Sequence, residues 1–266
     1  MQRDAVRLTP PTPALLRAWR CLRLAAVFLV IALRAAFVYS RVGAAERAQL
    51  KQRGSREILA ALSIELEADA QALSAPPGCL IVANHVSWLD IFVINAVRPA
   101  SFVSKSEVRR WPFIGWLAAK NDTVFLARGT RGHARTVNAE IDARLNAGVD
   151  VAIFPEGTTT DGSELLGFHA ALLQPAIETG HAILPLALSY HDADGRLTRA
   201  PAFAGGTSLA ACFSAILASR SLTARLTPCA AVEVAGKARR DASNEARAAI
   251  AAALATNTGF HGGVPG

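Results

Sequence analysis

The sequence is poor in the features that mark disordered proteins and proteins with several membrane spans. Of its 266 residues, 18% are charged and 6% aromatic, whereas 52% are hydrophobic. A disordered or acidic-tail protein would be more polar and more strongly charged, so that class is excluded. Only one stretch approaches the roughly 20 apolar residues of a membrane-spanning helix, which excludes a protein with several spans. The length suits one large domain or two small ones.

Cysteine is also scarce, and the four cysteines are far apart in the chain. They form neither a CxxC pair nor a Cys/His pattern with the spacing of metal ligands. We therefore expect free, buried thiols in a reducing compartment rather than a disulfide framework, and we expect no metal site. The four residues are Cys21, Cys79, Cys212 and Cys229.

The positive charge is concentrated in one part of the chain. A formal net charge of +7 and an isoelectric point near 9.8 are values that nucleic-acid-binding proteins often have. Residues 1–60, however, hold 11 Lys or Arg and three Asp or Glu, against 17 and 18 in the other 206 residues. Because the remainder is nearly neutral, the distribution argues against nucleic acid as the partner.

Those basic residues surround one apolar segment. Residues 24–33 are an unbroken apolar run of ten, which resumes after Arg34 as residues 35–39. Ten residues are too few to cross about 30 Å of hydrocarbon, and an arginine fits poorly in a span. Three interpretations remain: a cleaved signal peptide, a buried helix of a soluble protein, or a helix inserted into or across a membrane. Basic flanks on both sides disfavour export and favour the third, with the flanks on anionic lipid.

Residues 44–62 have the pattern of an amphipathic helix interrupted at Gly54 and Ser55. Its polar face is either an ordinary solvated surface or a second membrane contact. We therefore divide the chain into a membrane-associating helical segment, residues 1–62, and a globular domain, residues 63–266.

In the globular part, short β-branched apolar runs alternate with helical stretches. This alternation predicts an α/β fold with a mixed, largely parallel sheet that helices cover. The predicted strands span residues 79–83, 101–104, 123–127, 151–154, 182–188 and 223–226, and the predicted helices span residues 89–96, 112–119, 132–146, 168–179 and 243–254.

Two segments carry side chains suited to catalysis. An apolar strand runs directly into Asn84 and His85, and Asp90 follows five residues after the histidine, where a helix is expected to begin. Ligand sites of α/β proteins lie beyond the carboxyl ends of strands, so His85 is well placed. A carboxylate on one imidazole nitrogen leaves the other free as a base. The second segment, residues 151–158, is an apolar strand that ends in Pro-Glu-Gly-Thr, which alone indicates only a turn.

Together these segments resemble the phospholipid-synthesis acyltransferases, the family of 1-acylglycerol-3-phosphate acyltransferases and their relatives. Asn84-His85 with Asp90 matches the first family motif, NHx4D, and residues 154–158 match the third, FPEGT. Residues 124–128 match the apolar-Phe-x-x-Arg element between them, and residues 183–188 match the apolar-Pro-apolar strand of the fourth motif. Four elements in the family's order over residues 79–190 make the resemblance specific.

The resemblance implies an α/β fold, a membrane-associating N-terminal helix and acyl transfer to an alcohol. His85 would be the general base, and Asp90 would orient it and stabilise the imidazolium. No covalent acyl-enzyme and no cofactor or metal is implied, and we expect Ser87 to cap a helix rather than to act as a nucleophile. A guanidinium suits a phosphate monoester because it donates two parallel hydrogen bonds. The residues implied to bind substrate are Phe125, Arg128, Glu156, Gly157 and Thr158, with Glu156 positioning a hydroxyl or an arginine.

The sequence departs from the family pattern at two places. Asp122 stands where a glycine usually precedes the second motif, which puts the shape of that loop in doubt. Thr159, Thr160 and Asp161 follow the third motif, where Arg and Ser are common. One common phosphate or donor contact is then either absent or supplied elsewhere, and the candidate side chains for it are Lys105, Arg109, Arg110, Lys120 and Arg131.

The reaction that the resemblance implies moves a fatty acyl chain from an acyl thioester to the sn-2 hydroxyl of 1-acyl-glycerol-3-phosphate, giving phosphatidic acid. The donor would be acyl-CoA or acyl carrier protein, and the enzyme would work at the cytoplasmic face of the inner membrane. The motifs do not separate this enzyme from one that acylates lyso-ornithine lipid or a lysophospholipid, because acceptor choice depends on the pocket walls. A non-catalytic membrane or lipid-binding protein is the alternative from another class, and the intact His85, Asp90 and Glu156 argue against it.

Overall fold

A central β-sheet and two layers of helices build the part of the chain that the computed structural model describes, residues 12–69, 73, 75–126 and 131–258. The strands in these ranges are β1 (Ile64–Ala68), β2 (Leu80–Ala83), β3 (Ser101–Lys105), β4 (Val124–Leu126), β5 (Val151–Ile153), β6 (Ile183–His191) and β7 (Leu222–Pro228). The α-helices are α1 (Ala14–Phe37), α2 (Ala44–Ala61), α3 (Asp90–Val97), α4 (Ile114–Lys120), α5 (Arg131–Asn146), α6 (Gln174–Thr179), α7 (Leu209–Ala218) and α8 (Arg239–Thr258).

The strand order is β1-β7-β6-β2-β5-β3-β4. Every neighbouring pair is parallel except β6 and β7, which run antiparallel. The prediction of a mixed, largely parallel sheet is therefore confirmed. All six predicted strands are present, whereas β1 and α7 were missed, and the predicted helix over residues 168–179 is a short 3-10 helix (Ala170–Leu173) followed by α6.

The sheet buries both of its faces. Alternate residues of β2 point to opposite sides: Ile81 and Ala83 join one apolar cluster, and Leu80 and Val82 join the other. The first cluster contains side chains of α1, α2, α3 and α7, and the second contains side chains of α5, α6 and α8. Because all four residues of β2 are buried, this strand reads as a continuous apolar run rather than an alternating one.

The N-terminal helices pack against this globular core. Helix α2 is continuous through Gly54 and Ser55, so the predicted interruption there is wrong. A Cβ atom on Gly54 would lie 3.1 Å from the Ile31 side chain, and its absence lets α1 and α2 approach closely. The predicted boundary at residue 62 falls between α2 and β1, and the division into two segments stays a prediction. No helix in the described ranges is long and apolar enough to cross a membrane.

Helix α1 is fastened to the domain by its own arginines. The buried guanidinium of Arg20 donates to the main-chain oxygens of Leu217, Ser219 and Arg220, at the end of α7. A cation at that position is favourable because the last carbonyl groups of a helix carry partial negative charge. Arg34, the residue that interrupts the apolar run, forms an ion pair with Glu57 of α2 at 2.9 Å.

A buried ion pair fixes the entrance to β2. Asp150 accepts hydrogen bonds from the N–H groups of Gly78 and Cys79 and forms a 2.7 Å ion pair with Arg98. The guanidinium also donates to the carbonyl oxygens of three residues that precede β2. Gly78 has a φ of 87°, and a Cβ atom there would lie 2.7 Å from the Leu145 carbonyl oxygen, so only glycine fits this turn.

We predict that Asp150→Ala lowers the free energy of unfolding by about 3–5 kcal/mol, because it leaves the Arg98 charge buried without a partner. Urea unfolding in detergent micelles measures the loss. Glu67→Ala is the matched control, since Glu67 pairs with Arg225 at 2.8 Å on the surface, and the expected loss there is about 0–1 kcal/mol. Equal losses in the two variants would contradict the assignment of Asp150 as the structural partner of Arg98.

Candidate active site

The predicted catalytic residues lie where β2 and β5 end. His85 follows β2, and Glu156 follows β5, which is the parallel neighbour of β2. Asn84 holds the end of β2 against β6, because its side-chain amide donates to the Leu188 carbonyl oxygen at 2.9 Å and accepts the Leu188 N–H at 2.7 Å. A side-chain amide thereby makes the pair of bonds that a further strand residue would make.

His85 and Asp90 form the predicted pair. The Nδ1 atom of His85 lies 2.8 Å from the Asp90 Oδ2 atom, and the Asp90 side chain is completely buried. The same Oδ2 atom accepts the N–H groups of Val86 and Ser87 at 2.7 and 2.9 Å. This arrangement places the imidazole proton on Nδ1 and leaves Nε2 as the basic nitrogen.

Ser87 does not cap helix α3. Leu89 occupies the cap position, and no side chain there bonds a free N–H group of the helix. The Ser87 hydroxyl accepts the N–H of Leu89 at 3.3 Å within the preceding turn, so the predicted capping role is wrong. The carboxylate of Asp90, in the first turn of α3, bonds the N–H groups that precede the helix instead.

Tyr190 is a site residue that sequence reasoning missed. Its hydroxyl donates to the Asp90 Oδ1 atom at 2.6 Å, and its ring is almost completely buried in β6. Burial raises the pKa of Tyr190 well above 10, and the neighbouring carboxylate raises it further, so the hydroxyl stays protonated and donates. The available signal was a tyrosine two residues beyond the predicted apolar strand, residues 182–188, because a buried tyrosine hydroxyl needs a partner.

Phe154, the first residue of the third motif, fixes the plane of the imidazole. Its ring stacks on His85 with centroids 3.9 Å apart and planes 7° apart. With Nδ1 bonded and one face covered, His85 has little rotational freedom. Its side chain retains 20% of its exposure, and no residue in the described ranges hydrogen-bonds to Nε2. The basic nitrogen is therefore open to a substrate hydroxyl.

Glu156 connects the loop that follows β5 to the loop that follows β2. Its Oε1 atom accepts the His85 N–H at 2.8 Å, and its Oε2 atom accepts the Leu166 N–H at 2.9 Å. Burial raises the pKa of Glu156 to about 6, although both main-chain hydrogen bonds favour the ionised form. The structure thus places Glu156 behind the base, and its predicted contact with a substrate hydroxyl or an arginine stays a prediction.

The other predicted binding residues lie at the same edge of the sheet. Gly157 has a φ of 70° in the turn that follows Glu156, and Thr158 is exposed beside it. Phe125 lies in β4, the third strand from β2, about 14 Å away across the sheet. Because these strands are parallel, their carboxyl ends lie at the same edge of the sheet. Arg128 lies outside the described residues, and its role stays a prediction.

The loop that precedes Phe125 is held by the N-terminal helices. Asp122, which stands where the family motif usually has glycine, has a φ of 58°, a left-handed conformation that glycine adopts readily and aspartate tolerates better than most residues. Next to it, Asn121 accepts a hydrogen bond from the Tyr39 hydroxyl at 3.3 Å. Lys51 of α2 donates to the carbonyl oxygens of Ala100 and Asn121, and burial lowers its pKa to about 8.

The described residues include no group of three or more His, Cys, Asp or Glu that could hold a metal ion. All four cysteines are free thiols; Cys79 and Cys212 are buried, and Cys21 and Cys229 are half-buried. The arrangement that remains is a base, its buried carboxylate and an open nitrogen, which suits removal of a proton from a hydroxyl group.

Comparison with known proteins connects this site to a family. The family model described as "Acyltransferase" matches residues 67–189. The 1-acyl-sn-glycerol-3-phosphate acyltransferase of Neisseria meningitidis serogroup B is 42% identical over 171 residues, which are 64% of this chain and 67% of that protein. The lyso-ornithine lipid O-acyltransferase of Pseudomonas aeruginosa is 42% identical over 180 residues, 66% of this chain and 68% of that protein.

The fold has a solved counterpart. The crystal structure of a 1-acyl-sn-glycerophosphate acyltransferase from Thermotoga maritima matches 88% of this chain and 96% of its own, with a TM-score of 0.61 and 20% sequence identity. At that identity the match shows the fold alone. The family model covers the segment that carries His85, Asp90 and Glu156, and the chain spans about two thirds of the length of the two sequence relatives. The chain therefore belongs to the acyltransferase family of phospholipid synthesis, and it is an acyltransferase.

Proposed function

We propose that the protein transfers a fatty acyl chain from an acyl thioester to the sn-2 hydroxyl of 1-acyl-glycerol-3-phosphate. The observation that carries the proposal is the 2.8 Å contact between His85 Nδ1 and the fully buried Asp90 carboxylate. The names of the curated relatives support a lyso-lipid as the acceptor. The donor in this proposal is acyl-CoA or acyl carrier protein, and no other cofactor takes part.

The proposed mechanism is a direct attack by the acceptor hydroxyl. Nε2 of His85 removes the hydroxyl proton as the oxygen attacks the thioester carbonyl carbon, and the carbon–oxygen bond forms. The carbon–sulfur bond then breaks, and the thiolate takes the proton from the imidazolium. Asp90 stabilises the imidazolium because it is a buried anion in contact with Nδ1. The Phe154 ring also favours the cation, since a π face attracts positive charge.

A second acceptor has equal support. The lyso-ornithine lipid acyltransferase and the glycerophosphate acyltransferase named above are both 42% identical to this chain over similar lengths. The catalytic pair would serve either acceptor, because each supplies a hydroxyl group. An acyl-transfer assay with a panel of lyso-lipids, each with acyl-CoA and with acyl carrier protein, separates the two acceptors and the two donors. Exclusive use of lyso-ornithine lipid would overturn the first choice of acceptor.

We also propose that α1 lies on the cytoplasmic face of the inner membrane. Every exposed residue of α1 is apolar, and its arginines are buried or half-buried against the protein. A water-facing helix would show the reverse pattern, with polar residues outward. Trp19, Leu22, Leu29, Leu33 and Phe37 recur on this outer face at intervals of three, four or seven residues. A lipid surface is the solvent that matches this face, and it is also where the acceptor resides.

We expect His85→Ala to lower acyl transfer by about 10²–10⁴-fold, because the reaction loses its base. Purified protein, assayed with lysophosphatidic acid and each acyl donor, provides the measurement. His181→Ala is the matched control, since the His181 ring hydrogen-bonds Asn146 of α5 rather than a motif residue, and its rate should not change. Nearly unchanged transfer by the His85 variant would refute the mechanism.

For Arg128→Ala we expect the KM for lysophosphatidic acid to rise by about 10- to 100-fold, since a charge-assisted pair of hydrogen bonds to the phosphate is lost. The kcat should change much less, because the base and its partner stay in place. Arg196→Ala, at an exposed arginine that pairs with Asp194, is the control. An unchanged KM in the Arg128 variant would exclude a role for Arg128 in binding the acceptor phosphate.

The Glu156→Gln variant should have a free energy of unfolding lower by about 1–3 kcal/mol. The amide of glutamine has a single acceptor oxygen, so it can accept only one of the two main-chain N–H groups. Its pH dependence is also diagnostic. The carboxyl pKa is raised from 4.5 to about 6, which means that the neutral carboxyl group favours the folded state. The stabilisation that it gives is complete below pH 4.5 and is lost as the pH rises through 6. The free energy of unfolding of the unchanged protein should therefore fall by up to about 2 kcal/mol across this pH window, relative to that of the variant.

Urea unfolding at several pH values between 4 and 7 measures both effects. Glu164→Gln is the control, since Glu164 is exposed close by in the same loop, and it should keep the pH slope of the unchanged protein. A pH slope that survives in the Glu156 variant would show that another group is responsible.

A further inference from the structure

Residues 111–116, which we call the aromatic wedge, present apolar side chains to the solvent. Trp111, Phe113, Ile114 and Trp116 are each between 39% and 49% exposed. Side chains of this size dominate the energetics of cores and interfaces, so four of them in six residues are unusual on a water-facing surface. The wedge contains the first turn of α4 and the residues before it.

The backbone of the wedge holds these side chains outward under strain. Phe113 has φ 63° and ψ −57°, and the Ile114 N–H bonds the Pro112 carbonyl oxygen at 2.7 Å. These values define a classic γ-turn, which is rare and strained. A bulky residue at positive φ persists only where the surrounding structure imposes it, and such strain concentrates at functional positions.

The surrounding structure does impose this conformation. A Cβ atom on Gly115 would lie 2.3 Å from the Arg109 carbonyl oxygen, so α4 packs directly on the backbone of the preceding 3-10 helix, Ser106–Arg110. The Gly115 N–H also bonds the Trp111 carbonyl oxygen at 2.9 Å. The wedge is therefore a rigid projection, and its exposed rings are not a consequence of a loose loop.

The wedge is continuous with the apolar outer face of α1. The Phe113 ring meets the Phe28 ring of α1 edge to face, with centroids 6.2 Å apart. Leu29 and Val30, the next residues along α1, are exposed. The two apolar surfaces thus meet along one side of the molecule.

The charges around the wedge favour an anionic partner. Two exposed acidic residues lie nearby in the chain, Glu107 and Asp122, against four exposed basic ones. Tryptophan together with Lys or Arg is the composition that proteins use at the boundary between lipid headgroups and acyl chains. The four basic residues are Lys105, Arg109, Arg110 and Lys120.

The wedge also adjoins the predicted acceptor strand. The Arg109 guanidinium lies over the Phe125 ring, 5.5 Å from its centroid. Phe125 belongs to β4, whose carboxyl end lies at the same edge of the sheet as His85. Contact between the wedge and lipid would therefore bring the carboxyl edge of the sheet close to the membrane.

We propose that the aromatic wedge is a second lipid contact, which inserts beside α1 into the interfacial region of an anionic bilayer. This contact places the carboxyl edge of the sheet at the membrane surface, where a lyso-lipid enters the site. The proposal rests on the proposed membrane association of α1, and it adds a contact that α1 does not supply. The wedge has a separate consequence: without it the protein stays attached through α1, but acceptor transfer from the bilayer to the site becomes slow.

Tryptophan fluorescence tests the contact directly in the full chain. The protein has four tryptophans, and Trp19→Phe removes the one on α1, leaving Trp111 and Trp116 in the wedge and Trp88 packed against Phe92. Vesicles of equal parts phosphatidylglycerol and phosphatidylcholine, with bromine on the acyl chains, should quench most of the emission. The matched variant Trp111→Phe/Trp116→Phe retains Trp19 and Trp88, so it reports the α1 contact without the wedge, and it should also be quenched.

Three results would overturn the proposal. The first is binding of the Trp19→Phe variant to vesicles without quenching. The second is quenching by a brominated acyl thioester but not by the vesicles, which would make the wedge part of the donor site. The third is a blue shift that depends on protein concentration without lipid, which would place a second copy of the chain on the wedge.

A functional test uses Trp111→Ala/Ile114→Ala, two exposed residues that form none of the ring contacts to α1. We expect acylation of a vesicle-borne, long-chain lyso-lipid to fall by about tenfold or more, from the apolar area lost. Acylation of a short-chain, water-soluble acceptor should stay within about twofold. Leu209→Ala, at an exposed leucine of α7 outside the wedge and α1, is the control.

The two tests also separate this proposal from the proposed reaction. Equal losses on both acceptors would show a damaged site rather than a lost lipid contact, and they would contradict the wedge assignment. A chain that acylates no lyso-lipid would refute the proposed function, whereas the quenching result would still decide whether the wedge enters the bilayer.

Discussion

The buried carboxylate of Asp90 is the group on which the rest of the site depends. A completely buried anion is stable only if hydrogen bonds replace the water that it loses. Here four donors do so: the imidazole of His85, the N–H groups of Val86 and Ser87, and the hydroxyl of Tyr190. Two of them are the backbone of the turn between β2 and α3, and one comes from β6. The carboxylate that holds the His85 ring therefore also fixes the turn and the strand beside it.

Local sequence explains which parts of this site were predictable. The central strands are continuous apolar runs, and the spacing of five residues between His85 and Asp90 spans a single turn, so both could be inferred without tertiary contacts. The role of Tyr190 could not be inferred, because its partner Asp90 is 100 residues away in the chain and no residue of β6 indicates which buried group the hydroxyl contacts. Strand β1 was missed because it alternates polar and apolar residues at the sheet edge. Ser87 was misassigned because α3 begins only at Asp90, so the Ser87 hydroxyl bonds the Leu89 N–H in the turn before the helix.

The N-terminal helices connect the exposed apolar face of α1 to the loop before β4. Arg20 anchors α1 to the end of α7, while Tyr39 and Lys51 bond Asn121. Lys51 is largely buried, with a pKa lowered to about 8, and its donors are directed at main-chain oxygens rather than at a carboxylate. The segment expected to associate with the membrane is thus also the support of the strand that carries Phe125. In the proposed function, membrane attachment and acceptor binding therefore depend on one structural element, and a substitution that alters one should alter the other.

The antiparallel strand β7 has a consequence for the position of the base. Pairing between β2 and β6 ends at Ala83 and Leu186, yet β6 continues for five further residues to His191. That overhang would be an unpaired edge were it not for β7, which runs the opposite way and bonds it as far as His191. The overhang carries both Leu188, which holds Asn84, and Tyr190. Because β7 runs antiparallel to β6, β6 is paired beyond the end of β2, and this extension carries the groups that hold Asn84 and Asp90 in place.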